Sequence, residues 1–128
     1  MILLDTHVVV WLASDPAQLS KAAVCAIERH SEALHISVVS AWEIALLVKR
    51  GRLELPLPPG EFIGRAIRHH RLVELPVERR VAERAVALPD IHNGPFDRIL
   101  AAECLERGGT LISRDATLPR YPHLRVLW

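Results

Sequence analysis

The sequence predicts an α/β fold, with a mainly parallel central sheet of about five strands and helices on both of its faces. Three observations lead there. Short apolar runs alternate with longer amphipathic stretches, the order that a parallel sheet with crossover helices requires. Helix-capping and turn residues fall between them. With 128 residues the chain is expected to form one domain, residues 1–128, with no room for a second.

"MILLD" (1–5) is a short apolar run ending in an acid, the pattern of a buried strand. "THVVVWLA" follows as a helix and is closed by Ser14-Asp15-Pro16. Ser20 is placed to cap a helix reaching about His30. "ALHISV" (33–38) is the second strand. Ser40 begins the helix "SAWEIALLVKRG", with Lys49 and Arg50 favourably placed in its last turn and Gly51 beyond its cap. The proline-rich "LELPLPPG" (53–60) connects to a helix from about Glu61 to His70. "LVELP" (72–76) is the third strand, and "VERRVAERAVAL" (77–88) a helix. "PDIHNG" is a turn cluster, and Pro95 suits the first position of a helix ending at Arg107 before Gly108-Gly109. "TLIS" (110–113) and "LRVLW" (124–128) complete the sheet, joined by the loop "RDATLPRYP".

Composition excludes several classes. Hydrophobic residues make up 50% and mean hydropathy is +0.17, which rules out disorder as the main state. No apolar run reaches ~18 residues, so no membrane span is expected. The net charge is +1, too small for a strongly basic nucleic-acid glove. Cys25 and Cys104 have no zinc-ligand spacing and read as reduced thiols. The chain opens without a secretory signal, and a cytoplasmic location is expected.

In parallel sheets, ligands bind beyond the carboxyl ends of the strands. Four acids are expected on that edge. Asp5 ends strand one, Glu43 lies in the first turn of the helix after strand two, Asp97 opens the helix before strand four, and Asp115 follows strand four. Each has a structural explanation of its own. Asp5 could cap a helix, Ser40 and Glu43 fit a capping box, Asp97 suits a helix dipole, and Asp115 could form an Asx turn. Together these explanations weaken. A carboxylate between "ILL" and "VVVWL" is costly without a partner, and no lysine adjoins any of the four. A divalent cation is the simplest neutraliser, and all-oxygen donors select Mg²⁺ or Mn²⁺ over Zn²⁺. Such a site is suited to phosphodiester hydrolysis. Lateral convergence depends on the strand order.

"ILLDTHVVVWL", "SVVSAWEIALLVKRG", "PFDRILAAECL" and "LISRDATL" together resemble the PIN-domain family, and within it the VapC-type toxins of toxin–antitoxin pairs. The resemblance implies a three-layer α/β/α sandwich and a Mg²⁺- or Mn²⁺-dependent endoribonuclease leaving 5′-phosphate and 3′-hydroxyl ends. Asp5, Glu43, Asp97 and Asp115 match the family's acidic quartet, implying both catalytic and metal-binding roles. Asp5 and Asp97 match its principal ligands. Ser113 matches a hydroxyl residue common two positions before the last acid, and Thr6 follows Asp5 as in many members. The resemblance also implies a homodimer and inhibition by a small cognate antitoxin. Other readings are a PIN nuclease of RNA maturation or decay and a catalytically silent interaction module. A receiver domain and a haloacid-dehalogenase-type phosphatase lack their required residues, since Thr6 follows Asp5 and "DTHVV" has no second Asp.

The arginines at 65, 68 and 71, and at 79, 80 and 84, form either a phosphate-tracking stripe or a solvated helix face. His69-His70 and the other histidines show no ligand spacing and read as surface or satisfied polar groups. Trp11, Trp42 and Phe96 lie near the acids in sequence, where core packing is the expected role and base stacking the alternative. Val8 to Leu12 and Ile44 to Val48 exceed what one sheet face needs, and could serve a dimer contact or an antitoxin groove.

Overall fold

In a computed structural model describing all 128 residues, five short strands form one parallel sheet. The elements in chain order are β1 (Ile2–Leu4), α1 (Thr6–Ser14), α2 (Lys21–Arg29), β2 (Leu34–Ser37), α3 (Val38–Lys49), α4 (Pro59–His70), β3 (Val73–Leu75), α5 (Arg79–Ala87), α6 (Pro95–Arg107), β4 (Thr110–Ile112) and β5 (Arg125–Leu127). The sheet order is β3-β2-β1-β4-β5.

Alternation along β1 sets the layers. Ile2 and Leu4 point to one face, where they pack with Ile36, Ile112, Val8 and Val9 of α1, Ile27 of α2 and Phe62 of α4. Leu3 points to the other, with Leu111 and with Leu100, Ala101 and Cys104 of α6. Helix α5 packs outside α6 through Val81 and Ala85 against Ala102. This is the α/β/α sandwich that the sequence predicts.

The chain grows from β1 through β2 to β3, then crosses back to set β4 on the other side of β1. In such sheets a crevice opens beyond the carboxyl ends of the strands where the order reverses. Here that point is the end of β1 beside the end of β4. The Asp5 amide donates to the Ile112 carbonyl at 3.0 Å, which ties the two exits together.

Most expected boundaries hold. The Ser20 hydroxyl accepts from the Ala23 amide at 3.0 Å and caps α2. Pro95 opens α6, and Gly108 ends it with a left-handed φ of 65°. Gly51 (φ 69°) closes α3, with its amide on Val48 and the Arg52 amide on Leu47. Helix α4 begins at Pro59, earlier than the expected Glu61, because a proline needs no amide partner in the first turn.

The start of α3 is a correction. Ser40 is the expected first residue of this helix, but Ser37 caps it, its hydroxyl accepting from the Val39 amide at 3.3 Å. β-Branched Val38 reads as the end of the strand in sequence, yet the chain turns straight from β2 into the helix. Ser40 instead accepts a hydrogen bond from the Thr6 hydroxyl at 3.1 Å, buried between α3 and the start of α1.

Candidate metal centre

Asp5 follows β1 at the N-cap position of α1, and its side chain makes no capping hydrogen bond. It is 6% exposed and accepts from the Ser113 hydroxyl, at 2.5 Å, across the β1–β4 boundary. Capping therefore does not explain this buried acid. Glu43 is the sixth residue of α3, in its second turn and not the first, because the helix starts before Ser40. The expected capping box is absent for the same reason. Asp97 lies in the first turn of α6, as expected. Asp115 follows β4 and accepts from the Thr117 amide at 2.7 Å, so the Asx turn is real, but it occupies one oxygen only.

All four acids line one cavity of about 370 Å³ with His7, Trp11 and Arg114. The strand order, silent in the sequence, brings them together. Their electrostatics show close association. Burial pushes the Asp97 carboxyl up to about 6, and the charges of Asp5, Glu43 and Asp115 push the same way. Burial also raises Asp5, against the pull of Ser113 and His7. For Asp115 burial acts upward too, but the hydrogen bonds from His92 and Thr117 outweigh it and hold that carboxyl below its ordinary value. His92 is the one basic side chain in ion-pair range of the quartet, and no lysine or arginine pairs with any of the four.

The histidine reading gains a particular at one position, where the satisfied group lies at the acids. His92 falls in sequence among the surface or satisfied residues, yet its Nε2 is 2.8 Å from Asp115 Oδ2 and 3.4 Å from Asp97 Oδ2. One donor atom from each of these three side chains lies within 4.8 Å of the others, a spacing that a metal ion could bridge. His92 sits in an irregular turn, so no periodicity marks it. Its place between Pro89 and "PFD" was the only available signal.

The aromatic residues divide. Trp11 is half-buried against Trp128 and His7, with ring centroids 5.7 and 5.8 Å away. Trp42 is 63% exposed, which overturns its expected core role. It meets Phe96, the neighbour of Asp97, edge-on at 5.3 Å. The arginine stripe is mostly paired: Arg71 with Glu32, Arg79 with Glu83, Arg80 with Glu78, and Arg84 with Glu106. Arg65 and Arg68 line a separate cavity of about 570 Å³ with His69 and His70, and share no lining residue with the acids. Val8, Val9 and Ile44 are buried in the core, whereas Leu12, Leu46, Leu47 and Val48 stay partly exposed.

A parallel α/β/α sandwich with clustered carboxylates at its switch point defines a class of protein. Residues 2–124 match the family model of the PIN domain, and the chain belongs to that family. It is similar to Ribonuclease VapC22 of Mycobacterium tuberculosis, 36% identical over 125 residues that cover 97% of this chain and 94% of that one. Its fold matches VapBC2 from Rickettsia felis bound to a promoter DNA fragment, with TM-score 0.74, 15% identity, and coverage of 99% of this chain and 98% of that one. It also matches DNA-bound VapBC from Salmonella typhimurium, with TM-score 0.71, 16% identity, and coverage of 98% and 96%. No helix is long and apolar enough to cross a membrane.

Proposed function

We propose that this protein is a metal-dependent endoribonuclease of the VapC toxin type, with Asp5, Glu43, Asp97 and Asp115 holding Mg²⁺ or Mn²⁺. One observation carries the reading: four carboxylates from four chain segments line one cavity with no lysine or arginine paired to them. Two unit charges 4 Å apart repel by about 1 kcal/mol even at water's dielectric, and by more when partly buried. Clustering without a paired lysine or arginine favours a cation, and all-oxygen donors fit a hard one.

A bound ion of this kind supplies an activated water and neutralises charge on the transferring phosphoryl group. The chain's own residues do the rest. Ser113 orients Asp5 by donating to one of its oxygens, leaving the other free for the cavity. The Thr117 amide and His92 both hold Asp115. Trp11 and the exposed Trp42, set against half-buried Phe96, offer ring faces suited to unstacked bases, in support of a single-stranded RNA substrate.

The similarity to VapC22 and to toxins solved in VapBC complexes supports a small cognate antitoxin as partner. The partly exposed Leu12, Leu46, Leu47 and Val48 support a homodimer contact. The test is cleavage of short single-stranded RNAs with Mg²⁺, Mn²⁺ or EDTA, using wild type, Asp5→Asn and Asp97→Asn. The expected result is metal-dependent cleavage lost in both variants while the fold survives. Full activity in Asp5→Asn with unchanged metal dependence would sink the assignment.

A further inference from the structure

We infer that His92 is a positioning residue for the acidic centre and not one of its ligands, its imidazole held by the turn so that Nε2 donates to Asp115. The inference rests on the metal-site reading above and concerns what holds Asp115 there.

The lock is visible in the hydrogen bonds. The Gly94 amide donates to His92 Nδ1 at 2.9 Å. A nitrogen that accepts carries no proton, so the ring donates through Nε2. That N–H lies 2.8 Å from Asp115 Oδ2 and donates to it. A metal would need the Nε2 lone pair, and hence a proton on Nδ1, where the Gly94 amide would then meet a second donor. The spacing of His92, Asp97 and Asp115 alone suits a shared ion, but the hydrogen-bond pattern assigns the imidazole to donation.

The turn is built to hold this arrangement. A Cβ on Gly94 would lie 2.6 Å from Asp97 Oδ2 and 3.0 Å from His92 Cε1, so any larger residue would displace the Asp97 carboxylate and crowd the ring folded back over its own turn. The His92 amide donates to the Tyr121 hydroxyl at 3.0 Å. Arg98 donates to the carbonyls of Ala85, Val86, Leu88, Pro89 and His92, and to the Tyr121 hydroxyl. One guanidinium next to Asp97 in sequence thus fixes the loop whose histidine holds Asp115. Acid ligands from α6 and from the segment after β4 are thereby set in register through His92.

The experiment has two readouts that do not depend on cleavage. Long-range ¹H–¹⁵N spectra of the metal-free protein should show His92 as the Nε2–H tautomer, and saturating Mg²⁺ should leave that proton in place. Mn²⁺ titration should then show His92→Ala binding about 10- to 100-fold more weakly than wild type, the usual effect of removing a group that orients a ligand. His92→Gln, whose amide nitrogen can donate from the same place, should recover to within a few-fold of wild type. Thermal unfolding checks that both variants fold. An Nδ1–H tautomer, loss of the Nε2 proton on metal binding, or failure of glutamine while alanine weakens binding would make His92 a ligand and overturn the inference. Unchanged Mn²⁺ affinity in His92→Ala would overturn it as well. Asp97→Asn separates the two levels: if it binds Mn²⁺ like wild type, the metal-site reading itself has failed.

Discussion

Replacing Asp97 by asparagine should stabilise the metal-free protein even as it removes activity. Burial first, and then the charges of Asp5, Glu43 and Asp115, raise the Asp97 carboxyl from 3.8 to about 6. An acid whose pKa is raised on folding favours the folded state below its unfolded pKa and loses that advantage as pH rises through the folded one. Metal-free wild type should therefore lose stability between about pH 4 and pH 6, where many proteins gain it. The shift corresponds to about 2–3 kcal/mol at neutral pH, at roughly 1.4 kcal/mol per pKa unit. The asparagine side chain carries no charge and escapes that cost. With an unfolding entropy of roughly 0.27 kcal/mol/K for a chain of this length, the variant should melt about 9 °C higher at pH 7 in EDTA. Circular dichroism melts at pH 4, 5, 6 and 7 test it. The advantage should shrink toward pH 4 and reverse with saturating Mn²⁺, which stabilises only the protein that binds it. Equal or lower melting of the variant at pH 7 in EDTA would refute the argument that burial and the neighbouring acids destabilise the ionised Asp97 in the folded state.

Glu103 on α6 makes a parallel case away from the site. It has no exposure, neither carboxylate oxygen has a hydrogen-bond partner, and burial pushes it up to about 7 against the nearby Ser37 hydroxyl. Stability should fall as pH rises from about 5 to 8, and Glu103→Gln should remove that slope, with a gain of about 2–3 kcal/mol at pH 8 in denaturant unfolding. Arg98→Met strips the charged donor from five carbonyls and should cost about 3 kcal/mol, a drop in melting temperature of roughly 11 °C. A loss under about 2 °C would show that water replaces the guanidinium there. Trp42→Ala should weaken single-stranded RNA binding by about 1–3 kcal/mol in an Asp5→Asn background, while the melting temperature of this exposed position stays unchanged.

The legible part of this protein was local. Alternation of apolar runs and caps such as Ser20 and Pro95 marked the elements, because capping and periodicity act over a few residues. The four acids stood out for the same reason: Asp5 is conspicuous between two apolar runs whatever lies around it. Errors arose where a distant contact overrode a local preference. Ser40 looks like a cap, but the Thr6 hydroxyl, 34 positions away, takes it into a buried pair. Trp42 looks like core, but the face of α3 that carries it remains in solvent.

The sequence by itself therefore determined the elements, the layered α/β architecture and the identity of the acids. Only the tertiary structure decided that the acids share a cavity. That depends on β4 crossing back to lie beside β1, which joins Ser113 to Asp5 across 108 positions. It also decided the part played by His92, which rests on an irregular turn held by Arg98 and Tyr121. Hydrogen bonds between distant segments form only when packing has already set those segments side by side, and no periodicity in the chain encodes them.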